Sequence, residues 1–386
     1  MTPSPFHIAI AGAGLGGLCL AQALKRRGIA FDVYEQDAAP DSRTQGYRIR
    51  IDRTGQAALA DSLPTAQHQL FLQTCSRSQS AGQFLDPRLS PVAGRPSDTW
   101  SDTDAGDDGD DGDRSAHRQT LRQILMLGIE DRVHFGQGVN GYREPDDGGV
   151  LLTLADGATR RTDALVGADG VNSAIRRLRL PHATPADTGS ACIYGKTPLD
   201  AALDSRLTSA TSVIFGPDYA IVVDPMRFRF PTQAGALTPV ADYLYWAVIG
   251  GRDALGPDSR DGAALLRRMG AMLEPGTDEL SAMFSQADAA SVSMLPVRSA
   301  PELAPWPASR VTLLGDAIHA MSPAGGVGAN TALDDAARLA RHLARAARDG
   351  DLPAALAAYE TDMRARANAA VAASSQGARK LAGVQS

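Results

Sequence analysis

Long apolar runs are missing from this chain: no stretch reaches the roughly 18 uninterrupted apolar residues that a membrane-spanning helix needs. The N-terminal MTPSPFHIAIAGAGLGG has no basic region, and its short apolar run leads straight into glycines, so it does not read as a signal peptide. Cysteine is scarce. Cys19, Cys75 and Cys192 are three, odd in number and far apart, which excludes a disulfide framework or a CxxC metal clamp and suits a reducing, cytoplasmic setting. No metal site is expected. Aromatics make up only 5%, and no basic stripe is interleaved with them; the arginine pairs at 160/161 and 176/177 stand alone, which argues against nucleic acid as a partner. HExxH and GxSxG are absent, and with neither a CxxC nor a second GxGxxG a two-dinucleotide disulfide reductase is excluded.

What is present is the composition of a globular protein: 386 residues, 44% hydrophobic and 21% charged, long enough for two domains. The net charge of −6 is local, because eight aspartates between Asp98 and Asp113 carry more than the whole excess. With nothing apolar to bury and strong self-repulsion, that run reads as a solvated, flexible loop, and it lacks the aspartate spacing of an EF-hand.

The first 35 residues read as a βαβ unit. HIAIA (7–11) is a strand, residues 15–27 have helical apolar spacing with Lys25, Arg26 and Arg27 at the C-terminal end and Gly28 as a stop, and FDVYE (31–35) is the next strand. A helix is expected over 117–127, strands over 133–154, and a further strand at ALVG (164–167). Between about 188 and 290, short β-rich runs separated by Pro, Gly and Asp predict an antiparallel sheet layer. After Arg298 the pattern returns to βα, with Ala-rich helices over about 330–347 and 353–372.

Gly12, Gly14 and Gly17 form GxGxxG between the first strand and helix, and Glu35 ends the second strand 18 residues beyond Gly17. The first glycine permits the turn, the second lets the backbone approach a pyrophosphate, and the third lets helix and strand pack closely. The amides around Gly14, Leu15, Gly16 and Gly17 then face a diphosphate, while Glu35, with Gln36 beside it, takes the ribose hydroxyls. A carboxylate there repels a 2′-phosphate, so the tightly held nucleotide is FAD or NAD.

Two further motifs, DALVGADGVNSAIRR (163–177) and VTLLGDAIHAMSPAGGVGAN (311–330), complete a set of three in the order and spacing at which the chain resembles the group A FAD-dependent monooxygenases, the family of para-hydroxybenzoate hydroxylase. The resemblance covers most of the chain. It implies an α/β fold: a Rossmann-like FAD-binding domain with an inserted antiparallel β-sheet substrate domain and C-terminal helices. The corresponding segments are FAD-binding at 1–70, 117–187 and 291–347, substrate-domain strands at 71–97, the acidic loop at 98–116, the substrate β domain at 188–290, and a C-terminal helix and tail at 348–386. With so little chain after the third motif, the extra C-terminal domain of larger relatives is not expected.

By the same resemblance, Asp169 and Gly170 lie beside the FAD pyrophosphate, and Gly315 and Asp316 serve the ribityl chain. Pro323, Gly325, Gly326, Val327, Gly328, Ala329 and Asn330 pass the flavin ring. Arg118 looks like the family's arginine that reaches FAD, and Arg48 like the one near flavin and diphosphate, with Arg50 the neighbouring possibility. His319 is either a packing and hydrogen-bonding residue or a participant in flavin or substrate chemistry; His319 and Arg48 are the possible catalytic side chains, and none is required, because the chemistry is borne by the flavin. Candidate walls of the substrate pocket are Tyr194, Phe215, Tyr219, Tyr245 and Trp246, although strand alternation turns half of such residues away.

The implied activity is reduction of FAD by NADH or NADPH, reaction with O2 to a C4a-hydroperoxide, and transfer of one oxygen atom to a small organic or secondary-metabolite substrate by hydroxylation, epoxidation or Baeyer-Villiger reaction. FAD is held non-covalently and NAD(P)H visits transiently. A monomer or homodimer with no membrane span is expected. None of Trp100, Trp246 and Trp306 sits in a WxWxIP block, which argues against a halogenase. A flavin-dependent oxidoreductase or cyclase that inserts no oxygen, and a nucleotide-binding protein without turnover, remain as alternatives.

Overall fold

The computed structural model describes residues 6–42, 47–76, 82–92, 112–199, 202–230, 235 and 237–381. Most of the acidic run lies outside these residues. A five-stranded parallel sheet forms the centre of the larger lobe, in the order Val311–Leu313, Ala164–Gly167, His7–Ala11, Ala30–Glu35, Val133–Phe135. The middle strands are almost wholly buried, as a parallel sheet covered on both faces requires. The helix Leu15–Arg26 is buried from Leu15 through Leu24, because it packs between this sheet, the Arg118–Met126 helix and the long Gly328–Asp349 helix. The three-stranded sheet Val139–Arg143, Val150–Leu154, Thr159–Thr162 is antiparallel and leads into the Ala164–Gly167 strand.

The second lobe is a six-stranded sheet in the order Ser293–Ser299, Ala186–Pro198, Tyr243–Gly251, Tyr219–Met226, Ser212–Phe215, Gln83–Leu85. It is antiparallel except at one edge, where Gln83–Leu85 runs parallel to Ser212–Phe215. Its two faces differ. On one, Ile193, Tyr219, Ile221, Val223, Leu244, Trp246 and Val248 form a core with Leu265, Met269, Leu280, Met283 and Phe284 from the helices Gly262–Met272 and Asp278–Ser285. The other face, carrying Cys192, Tyr194, Met226, Tyr243 and Ala247, meets Tyr47 from the first lobe.

One element joins the lobes, and another closes the back of the first lobe. The ribbon of Arg48–Ile51 and Arg114–His117 runs along the seam, and the C-terminal helix Leu352–Leu381 packs against Gly328–Asp349 and the turn at Pro323–Gly325. No helix among the described residues is long and apolar enough to cross a membrane.

Candidate cofactor and substrate groove

Two clefts of about 390 and 280 Å3 share Gly14, Arg118, Ala168 and Gly170 in their walls, so they form one groove. It runs from Glu35 and Gln36, at the carboxyl ends of the parallel strands, to Tyr245 on the six-stranded sheet.

The end near Glu35 is built by the glycine turn. A Cβ on Gly12, whose φ is +108°, would stand 2.4 Å from the Ala168 carbonyl oxygen, and one on Gly17 would stand 2.1 Å from the Gly12 carbonyl oxygen. Both positions therefore serve close backbone approach, and Gly17 does not line the groove. A Cβ on Gly14 would meet nothing within 4 Å, so Gly14 borders open space. Glu35 Oε2 accepts the N–H of Ala13 at 2.7 Å and Oε1 that of Asp37 at 2.9 Å. Each oxygen keeps acceptor capacity for a ribose hydroxyl while its orientation is fixed.

In the middle of the groove, Asp169 Oδ2 accepts the N–H of Ala174 at 2.7 Å and of Ile175 at 3.3 Å, capping the Ala174–Arg179 helix. Its Oδ1 is buried without a hydrogen-bond partner among the described residues, an acceptor left for a donor from outside the chain. Arg118, at the first position of its helix, lines both halves of the groove.

At the far end, Leu15, Gly16, Arg48, Arg50, Gly315, Asp316, Pro323, Gly326, Gly328 and Ala329 line the wall. The Asp316 carboxyl opens into the groove but lies deep in the protein; desolvation raises its pKa above the ordinary value, against the opposing charges of His319 and Arg118. Arg48 Nε donates to Asp224 Oδ2 at 2.6 Å, and Arg50 is paired with Asp113. The seam thus places both candidate arginines on the wall.

Other expected residues lie outside the groove wall. Gly325 packs on Ser374, Val327 precedes the Gly328–Asp349 helix, and buried Asn330 donates to the carbonyls of Arg50 and Gly326 and accepts from the Asp52 N–H. His319 is fully buried, with its imidazole on Asp335 and no surface in the groove, so it is not placed to act on a bound molecule.

The substrate-wall expectations divide by face. Tyr245 lines the groove. Tyr194 shares that face and packs against Tyr47, and Phe215 shares it but packs against Phe84. Tyr219 and Trp246 are corrected: both point to the opposite face, where Trp246 meets Phe284 edge-on at 5.0 Å and donates to Thr197 Oγ1 at 3.2 Å. The period of two along a strand sends Trp246 away because it brings Tyr245 in.

Several wall residues were not expected. Cys192, Val222, Ala247, Ile249 and Met321 make the wall around Tyr245 apolar. Arg122 lines the other end and donates from Nε to the Ala13 carbonyl at 2.9 Å; it stands four residues after Arg118, one helical turn on, a spacing that could have revealed it. Asn140 and Arg177 come from elements that only the tertiary fold brings there. Asp224 carried a signal too, as the single acid in the apolar strand YAIVVDPM.

The open space at Gly14, the orphaned Asp169 Oδ1 and the acceptors Glu35 and Asp316 spaced along one groove fit an extended flavin dinucleotide. Comparison with known proteins agrees. Residues 118–374 match the family model described as FAD binding domain, and residues 10–61 that described as NAD(P)-binding Rossmann-like domain. The dual O-methyltransferase/FAD-dependent monooxygenase elcB of Phaeosphaeria nodorum is 33% identical over 97% of this chain and 46% of its own length. The chain thus spans about half the length of that relative. The aurachin C monooxygenase/isomerase of Stigmatella aurantiaca is 30% identical over 95% of this chain and 87% of its own. A solved structure of a candidate FAD-containing monooxygenase from Photorhabdus luminescens superposes with a TM-score of 0.82 at 31% identity, covering 98% of each chain.

Proposed function

The chain belongs to the FAD-binding family of flavoprotein monooxygenases, and from that premise we propose that it is a single-component enzyme that consumes NADH or NADPH and inserts one atom of O2 into a small organic substrate. The observation that carries this reading is the continuity of the groove, which puts carboxylate acceptors and open backbone at one end and an apolar sheet face at the other. When bound, FAD supplies the redox chemistry, passing two electrons from the nicotinamide to O2, one atom of which goes to the substrate and the other to water.

The chain's own residues bind, orient and exclude. Glu35 accepts from the ribose, Gly14 leaves room for the diphosphate, and Asp316 accepts from the ribityl hydroxyls. The first turn of the Gly328–Asp349 helix has unsatisfied N–H groups and a positive dipole end beside the groove, which favours negative charge on the ring. Cys192, Val222, Ala247 and Ile249 keep water from the reacting end and favour a hydrophobic, secondary-metabolite type of substrate, in keeping with the aurachin C in one relative's name. Cys19, Cys75 and Cys192 are buried and unpaired, with thiols pushed up to about 12 by burial, which fits a reducing cytoplasm.

The test is anaerobic reduction of the purified yellow protein by NADPH and NADH, then exposure to 18O2 with a panel of metabolites. One labelled oxygen in a product is the expected result. Turnover to an unlabelled product would instead favour an oxidoreductase or cyclase, and flavin that neither nicotinamide bleaches would sink the enzyme reading.

A further inference from the structure

Behind the groove wall runs a chain of charges, fully buried at its inner end, that the cofactor contacts do not include. His319 Nε2 and Asp335 Oδ2 are 2.6 Å apart, and both side chains are fully buried. The same Oδ2 accepts the N–H of Gly315 at 3.2 Å, and Asp335 Oδ1 accepts from Arg366 Nη1 at 2.9 Å. Arg366, on the Leu352–Leu381 helix, is held in turn by Asp334 at 3.0 Å and Asp362 at 3.2 Å.

That helix has a second grip nearby. Ser374, also fully buried, donates from Oγ to the Ser322 carbonyl at 2.6 Å, and a Cβ on Gly325 would stand 3.3 Å from Ser374 Cα. Between the two grips lie residues 315–325, which present Gly315, Asp316, Met321, Ser322, Pro323 and Ala324 to the groove.

We propose that Asp335 and Ser374, with His319 and Arg366 behind them, are positioning residues for the ribityl and ring half of FAD, fixing the 315–325 segment at both ends. Gly315 explains the first grip. Its φ of +61° turns the chain sharply into Asp316, and without Asp335 its buried N–H would lack an acceptor. Buried apolar side chains would stabilise this spot as well as an ion pair does, whereas a pair with three directed donors fixes one geometry. The charges support each other: burial pushes His319 towards neutrality, but Asp335 and Asp316 together hold the imidazole above its ordinary pKa, and against the same burial His319, Arg366 and the Gly315 N–H hold Asp335 below its own. His319 also lies one helical turn from Asp316, and its charge opposes the desolvation of that carboxylate.

The inference rests on the reading of the groove as a FAD site, and the experiment separates the two. Apoprotein is titrated with FAD and with ADP, which occupies only the end built by the Gly12–Gly17 turn and Glu35. Asp335→Asn and Ser374→Ala should each weaken FAD by about tenfold or more while leaving ADP affinity within about twofold. FAD and ADP affinities falling together would mean a merely structural role, and unchanged FAD affinity in both variants would equally overturn the proposal. Ser374→Ala loses a single hydroxyl, so it carries the test if Asp335→Asn does not fold. A wild-type protein that binds ADP but not FAD would sink the FAD reading itself and this inference with it.

Discussion

Arg48 and Asp224 meet at 2.6 Å across the seam between the lobes, with side chains only 11% and 3% exposed. Ser115 Oγ donates to the same carboxylate oxygen at 2.8 Å and Thr211 Oγ1 to the other at 3.1 Å, so Asp224 takes donors from both lobes. Removing one partner leaves the other charge buried. Asp224→Ala should therefore cost about 3–5 kcal/mol, while the double variant Arg48→Met/Asp224→Leu should recover much of that loss. Urea unfolding of the apoprotein measures it. A single-variant loss below about 1 kcal/mol would show the pair to be screened as surface pairs are.

The dinucleotide turn offers a contrast between two glycines. An alanine at Gly17 drives its Cβ into the Gly12 carbonyl, which is backbone and cannot swing aside, so Gly17→Ala should destabilise the apoprotein by about 1–3 kcal/mol or more. Gly14 has an ordinary φ of −74° and open space ahead of it. Gly14→Ala should change apoprotein stability by less than about 0.5 kcal/mol yet weaken FAD, because its methyl takes the room left for the diphosphate. Melting curves with and without FAD read both effects, and a Gly14→Ala protein with undiminished FAD affinity would remove the diphosphate from that position.

How much of this was legible in the sequence follows from how local each signal is. The strand at 7–11, the glycine turn, Glu35 and the helix beginning at Leu15 carry their signals within one 35-residue stretch, so periodicity and spacing located them. The Gly315–Asp316 turn was found by family likeness, but not Asp335, which grips it from twenty residues away. The six-stranded sheet was legible as β structure, whereas which face its residues take depends on register. Near Asp187 and Ala191 a bulge shifts that register, and no pattern in one sequence marks it. The parallel edge at Gln83–Leu85 was equally hidden, since a three-residue strand carries no periodicity.

His117 gives a pH dependence with a definite sign. Burial first, and then the charge of Lys196, lowers its pKa from 6.5 to about 4, and its imidazole packs against Phe228 and Tyr243. Below pH 6.5 the unfolded chain takes a proton that the folded chain refuses, so stability is full above that pH and falls until about pH 4, by roughly 3 kcal/mol. His319, whose folded pKa is raised, acts on the other side: its contribution is full below 6.5 and lost as pH rises through its folded value. His117→Asn keeps a side-chain acceptor for the Thr120 N–H that His117 caps, and should flatten the slope between pH 6.5 and 4. An unchanged slope in that variant would assign the acid sensitivity elsewhere.

Neighbouring residues on one strand should fail in opposite ways. Trp246 has no exposed surface and fills the core against Phe284, so Trp246→Ala should cost about 3–5 kcal/mol through the cavity it leaves. Because that core lies across the sheet from the groove, the set of metabolites that stimulates NAD(P)H oxidation should stay as in the wild type wherever the variant remains folded. Tyr245 stands on the groove wall beside Ala247 and Ile249, and burial raises its phenol's pKa, so it presents a neutral hydroxyl on an apolar surface. Tyr245→Ala should cost less stability than Trp246→Ala but enlarge the apolar end of the groove, shifting the preferred metabolites towards bulkier ones. Thermal melts and a stimulation panel on both variants decide it. If Trp246→Ala altered the panel while Tyr245→Ala left it untouched, the substrate would have to lie on the helix-covered side of the sheet, and the assignment of the groove would be wrong.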